Sequence, residues 1–239
     1  MAVLIGSARS DERGKITGGK AGDQNGGKEV STQNWYKHSK GWRVLRCKNP
    51  EKAAKMAEAM RNLCATNYVG YDQYQRNTLY DALKAVGWNL SKLNKNVETD
   101  CSALIRVCAA YAGITLPNFN TSSQAKAMLD SGEFVELTGS KYTDKEDYLA
   151  VGDVLVTKTK GHTVMVLSNG SKHAAVTSAT GPVVKKGTWN VRKGPGTGYE
   201  SIGKVSEGER LVAVDDDGWQ PIWWNGSVAY ISKTAIGEG

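Results

Sequence analysis

The chain has 239 residues, with 31 lysines and arginines against 24 aspartates and glutamates, for a formal charge of +7. That length suits one large or two modest domains, and 40% hydrophobic content is enough to build a core, which excludes a disordered chain. No run approaches the roughly 20 apolar residues of a membrane span. Four cysteines and three histidines form neither a zinc pattern nor a disulfide framework, so no metal and no cofactor are expected.

In chain order, Met1-Ala2-Val3-Leu4-Ile5-Gly6 lacks a basic leader and is too short to be a signal peptide. Residues 1–34 are polar and glycine-rich and read as loop. This loop is either a frayed arm or a flap in which Asp23, Gln24 and Asn25 fold back over a site formed elsewhere. Trp42 to Cys47 alternates like a short strand, and His38, in a polar stretch, is expected on the surface. Asn49 caps a helix that Pro50 opens and that keeps apolar spacing to about Thr66. A second helix passes through Leu79, Leu83 and Val86 and ends at Gly87.

Glu98 to Cys108 predicts a helix capped by Thr99 or Asp100, with Cys101, Leu104, Ile105 and Cys108 on one apolar face and Gly113 just beyond its end. Cys101 stands in the first turn, where the helix terminus favours thiolate, the nucleophilic form. A helix capped by Thr121 or Ser122 follows and stops near Gly132, then a strand at Phe134–Leu137 and a helical turn within 144–149. Val154–Val156 and Thr163–Leu167, split by a polar turn, predict a β-hairpin. His162 opens its second strand. A cysteine on a helix start and a histidine on a strand start are the parts of a nucleophile–base pair.

Residues 171–183 read as a linker, or alternatively as one more strand at 172–176. From Val184 onward, short alternating strands divided by Gly, Pro, Asp and Asn indicate a small all-β barrel. Trp189, Trp219, Trp223, Trp224 and Tyr230 are too many large aromatics for so small a core, so some are expected to line a ligand groove.

Asp100-Cys101-Ser102 with its apolar helix, then Gly152-Asp153-Val154-Leu155-Val156 and Gly161-His162-Thr163-Val164-Met165-Val166-Leu167, resembles the NlpC-type cell-wall cysteine peptidases and their CHAP amidase cousins. The arrangement is similar to the Cys/His lysins of bacteriophages that infect Gram-positive hosts, over residues 68–170. The Asn190-Val191-Arg192…Gly194-Pro195 pattern, Gly218-Trp219 and Asn225-Gly226…Tyr230-Ile231 resemble bacterial SH3-type wall-binding domains. The resemblance implies an α+β chain: a papain-like cysteine hydrolase domain at 1–172, a linker at 173–183 and an SH3-like domain at 184–239.

It further implies an endolysin that cleaves a stem-peptide or cross-bridge amide in peptidoglycan, with Cys101 as nucleophile and His162 as base. The family's third catalytic residue, a polar one, lies on the strand after the histidine. His173 is the nearest candidate, with Asn169 and Gln24 as alternatives. Tyr71, Asp100, Ser102 and Gln24 are candidate substrate contacts, and Trp189, Trp219, Trp224 and Tyr230 candidate wall contacts. An N-acetylmuramoyl-L-alanine amidase, a transglutaminase-like acyltransferase and a non-catalytic wall-binding protein are the alternatives. Such an enzyme is made in the host cytoplasm without a signal peptide and acts at the wall. Lys/Arg and Asp/Glu balance from Val184 onward, so the positive excess lies in the first 183 residues and favours an anionic wall polymer as partner. No motif or stacking pattern points to nucleic acid.

Overall fold

The computed structural model describes residues 2–172, 182–194, 196–209, 211, 219–224 and 227–237. The chain divides into two compact units, Met1–His173 and Ala174–Gly239. No helix among the described residues is long and apolar enough to cross a membrane.

In the first unit the elements run β1 (Leu4–Ala8), β2 (Val30–Asn34), β3 (Trp42–Cys47), α1 (Pro50–Cys64), β4 (Val69–Tyr71), α2 (Thr78–Ala85), β5 (Val97–Thr99), α3 (Cys101–Tyr111), α4 (Gln124–Asp130), β6 (Phe134–Leu137), α5 (Ser140–Thr143), β7 (Val154–Thr157) and β8 (Thr163–Val166). Six strands form one sheet in the order β2-β1-β8-β7-β3-β6, with every pairing antiparallel. β4 and β5 form a separate parallel pair.

The period-2 pattern of β3 shows how the sheet is buried on both faces. Trp42 and Val44 join Val3, Ile5, Leu155, Val164 and Val166 on one face. Leu45 and Cys47 join the larger core on the other, with Met56 and Met60 of α1 and Leu104, Ile105 and Cys108 of α3. Asn49 caps α1 as expected, its side chain accepting from the amides of Glu51 and Lys52.

The Gly-Asp step before β7 has a structural role. Gly152 has φ +87°, and a Cβ there would stand 2.5 Å from the Ala53 carbonyl oxygen. Asp153 is buried and ion-pairs with Arg46 at 2.7 Å, which ties β3 to the hairpin.

Several expectations need correction. Residues 1–34 are not one loop: β1 is an interior strand between β2 and β8, and only the intervening glycine-rich segment is irregular. That segment is held in place, with Asp23 N–H donating to the Asn67 carbonyl and Gly18 N–H to Asp72 Oδ2. The helical turn expected within 144–149 lies earlier, at α5. α4 begins after Ser123, which makes no side-chain capping bond. His38 is half-buried, its ring edge-on to Trp42 at 5.1 Å.

The second unit contains β9 (Val183–Val184), β10 (Thr188–Arg192), β11 (Ser201–Ser206), β12 (Trp219–Trp224), β13 (Ser227–Ser232) and β14 (Ile236–Gly237). An antiparallel sheet in the order β11-β10-β13-β12 stands beside the β14-β9 pair. Its core is Val184, Val191, Val205, Leu211, Ile222, Ala229, Ile231 and Ala235. The expected barrel does not close among the described residues, because β11 and β12 each pair on one side only.

Candidate active site

The site is built on the start of α3. Asp100 stays extended at φ −115° and ψ 178° and caps the helix. Its Oδ1 accepts from Ala103 N–H at 2.7 Å and from the Ser102 hydroxyl at 2.9 Å. The other carboxylate oxygen ion-pairs with Arg76 Nε at 2.9 Å. Arg76 also donates to Ser102 Oγ at 2.8 Å and to the Phe119 carbonyl. The two residues flanking the cysteine are thus held by one guanidinium.

Cys101 is only 5% exposed. The backbone amides of Thr163 and Ser102 act electrostatically on its sulfur, and α3 packs against β8. Burial, aided by the Asp100 charge, pushes the thiol up to about 12, against the opposing pull of those amides and Arg76. The thiolate expected from the helix terminus is therefore outweighed: a partial positive charge cannot offset the loss of water around a buried anion.

His162 immediately precedes Thr163 and is fixed by its own backbone. Its N–H donates to Thr157 Oγ1 at 3.0 Å, and its carbonyl accepts from Thr157 N–H at 3.0 Å. Burial, with the nearby His38 and Arg9 charges, lowers the imidazole to about 4. Cysteine and histidine thus both rest uncharged at neutral pH.

Behind this pair, Gln124 is fully buried and donates from Nε2 to Thr163 Oγ1 at 2.9 Å, while Thr163 Oγ1 donates to the Leu155 carbonyl. Tyr71 is also buried. Its backbone N–H donates to Glu29 Oε2 at 2.9 Å and its hydroxyl accepts from Gln73. Burial and the nearby Cys101 raise its phenol. Tyr36 is influenced by both Arg9 and Cys101, and its ring lies 5.7 Å from that of Trp42.

Of the residues singled out in the sequence, Cys101, Asp100, Ser102 and Tyr71 come together here, and His162 adjoins Thr163 at the start of β8. Gln24 is exposed, and its carboxamide donates to the Ala21 and Gly22 carbonyls. Asn169 lies past the far end of β8, where it accepts from Val151 N–H at 2.9 Å. At about 3.3 Å per strand residue it is roughly 20 Å from His162. His173 lies outside the described residues.

Arg9, Tyr36, His38, Arg76 and Gln124 were not anticipated. Only Tyr36 and His38, beside the Trp42 strand, carried any sequence signal, as aromatic groups clustered before an apolar run.

In the second unit, Trp189 is half-buried against the core and Tyr230 is half-buried on β13. The side chains of Trp219 and Trp224 lie outside the described residues. Tyr199, not anticipated, is 52% exposed, and its ring covers Gly194, where a Cβ would come within 2.4 Å of it.

Among the described residues no group of His, Cys, Asp and Glu is arranged to hold a metal ion. No curated protein and no solved structure matches the chain. Residues 5–173, which span the sheet, the capped cysteine helix and the histidine strand, match the model of the endolysin-like domain, so the chain belongs to that family, and membership points to a lytic function at the bacterial cell wall.

Proposed function

We propose that the chain is a cysteine-dependent peptidoglycan hydrolase that cleaves an amide within the stem peptide or its cross-bridge. The observation that supports this reading is the capped helix start that buries Cys101 where α3 packs on β8, the strand that begins directly after His162.

In this reading His162, neutral at rest, takes the thiol proton as Cys101 attacks the carbonyl. It then protonates the leaving amine and activates the water that releases the acyl group. Ala103 and Leu104 amides are engaged by Asp100, which leaves that of Cys101 to hold the oxyanion. Arg76 and Asp100 keep the helix start rigid. His173 stays the proposed orienting residue for His162. The second unit is proposed as an SH3-type module that holds the enzyme on the wall, using Trp189, Trp219, Trp224, Tyr230 and the exposed Tyr199.

Mass spectrometry of Gram-positive peptidoglycan digested with wild type and Cys101→Ser tests the reading. New fragments from wild type alone support it, and their ends name the bond: a free stem-peptide amine for a peptidase, a free lactyl group for the amidase alternative. Equal fragments from both proteins would remove Cys101 from the reaction. No fragments from either would favour a binding protein.

A further inference from the structure

Arg9 follows the last residue of β1. That strand runs antiparallel to β8 with Ile5 opposite Val166 and Gly6 opposite Met165. Continued by three residues, this register brings Arg9 level with His162. The electrostatics agree with the placement: the Arg9 charge acts on both His162 and Tyr36, and Tyr36 in turn feels Cys101.

Arg9 is half-buried, and among the described residues its guanidinium has no counter-ion. Nε and Nη2 are both shielded from water, and neither has a hydrogen-bond partner among the described residues. The backbone of Arg9 donates to the Glu29 carbonyl at 2.8 Å, but the Glu29 carboxylate turns away and accepts from the amides of Gln24 and Tyr71. The other ionisable neighbours, Cys64, Tyr36, His38 and His162, bring no negative charge at neutral pH. Desolvation lowers the Arg9 pKa, yet an arginine stays cationic in a protein. A partly desolvated cation gains from a nearby anion, and a guanidinium is shaped to take a carboxylate through two parallel N–H bonds.

We propose that Arg9 is a specificity-determining subsite that binds a free carboxylate of the substrate peptide next to the scissile amide. The inference rests on the hydrolase reading for the identity of the peptide. Stem peptides offer this group on the residues flanking their amide bonds, and amidation of the wall converts it to a neutral carboxamide. Arg9 then makes the enzyme favour the free-acid form, because a carboxamide gives up the charge-assisted bonds and confronts the cation with N–H donors.

The test is calorimetry on the full-length Cys101→Ser protein, with a synthetic stem tetrapeptide in its free-acid form and its carboxamide twin. The free acid should bind roughly 10- to 100-fold more tightly. Adding Arg9→Gln should abolish the gap, and Arg9→Lys should retain part of it. A thermal melt of each protein checks folding, and a folded Arg9→Lys protein reports on the subsite even if Arg9→Gln unfolds. Equal binding of the two peptides, no binding of either, or a gap that survives Arg9→Gln in a folded protein would overturn the proposal. The readout is binding, so absence of turnover in wild type would defeat the hydrolase reading separately.

Discussion

Arg76 closes on Asp100 at 2.9 Å one residue before the cysteine, with both side chains largely shielded from water. The same arginine reaches Ser102 and the Phe119 carbonyl, so one side chain joins α2's approach, the cap of α3 and the loop before α4. Arg76→Ala leaves the Asp100 charge desolvated and is expected to cost roughly 3 kcal/mol in urea unfolding, with turnover falling as the helix start loosens. A loss below about 0.5 kcal/mol would show that the pair behaves as an exposed one.

The Cys101 thiol, pushed up to about 12 by burial and Asp100, should react slowly with iodoacetamide at neutral pH. Alkylation at this residue, followed by peptide mass spectrometry, should rise about tenfold per pH unit through pH 9, as the thiolate fraction does. A rate that is already on a plateau at pH 7 would mean a resting thiolate–imidazolium pair instead.

On the acid side, His162 is lowered to about 4 by burial and its cationic neighbours. It therefore stays neutral, and available as the proposed base, down to about pH 5. The acid limb of the turnover profile should fall near pH 4 rather than near the ordinary histidine value of 6.5. A limb centred at pH 6 or above would contradict the burial of the imidazole.

Glu98, three residues before the cysteine, is 2% exposed, and among the described residues no side chain donates to its carboxylate. Burial, then Glu29, Asp72 and Glu12, raise it from 4.5 to about 8. Folding therefore takes up a proton between these values. The contribution of Glu98 to stability is full below about pH 4.5 and is lost as pH rises through 8. Urea midpoints should decline over this window in wild type and decline less in Glu98→Gln. Matching slopes in the two proteins would assign the titration elsewhere.

Gly152→Ala sets a side chain against the Ala53 carbonyl at a φ of +87°. The expected destabilisation is roughly 1–3 kcal/mol, measured by thermal melting, with Gly113→Ala as a comparison site where a Cβ meets nothing within 4 Å. Equal losses at the two sites would mean that backbone conformation alone, and not the contact, decides the cost.

Local signals made the cysteine helix and the histidine hairpin readable. Asp100 sits where a cap belongs and the apolar residues of α3 keep a 3.6-residue period, while β7 and β8 are adjacent apolar runs around a polar turn. β1 was missed because its apolar run is short, is followed by a glycine-rich segment, and pairs with a strand some 160 residues away. β4 and β5 are three residues each and gain their identity only by pairing with one another. The same distance argument applies to the site. Cys101 and His162 were legible as types in suitable settings, but Arg9, His38 and Arg76 acquire meaning only through long-range register and packing. The thiolate expectation failed because a helix terminus is visible in sequence and the degree of burial is not.

The placement of β1 also bears on synthesis. Strand Leu4–Ala8 has β2 on one side and β8, made about 160 residues later, on the other. A nascent chain can pair β1 with β2 early, but the sheet stays incomplete until Thr163–Val166 has left the ribosome. Contacts so distant in sequence are slow to form. The cysteine helix α3 packs against that same late strand, so the surroundings of Cys101 are completed only when the end of the unit has been made.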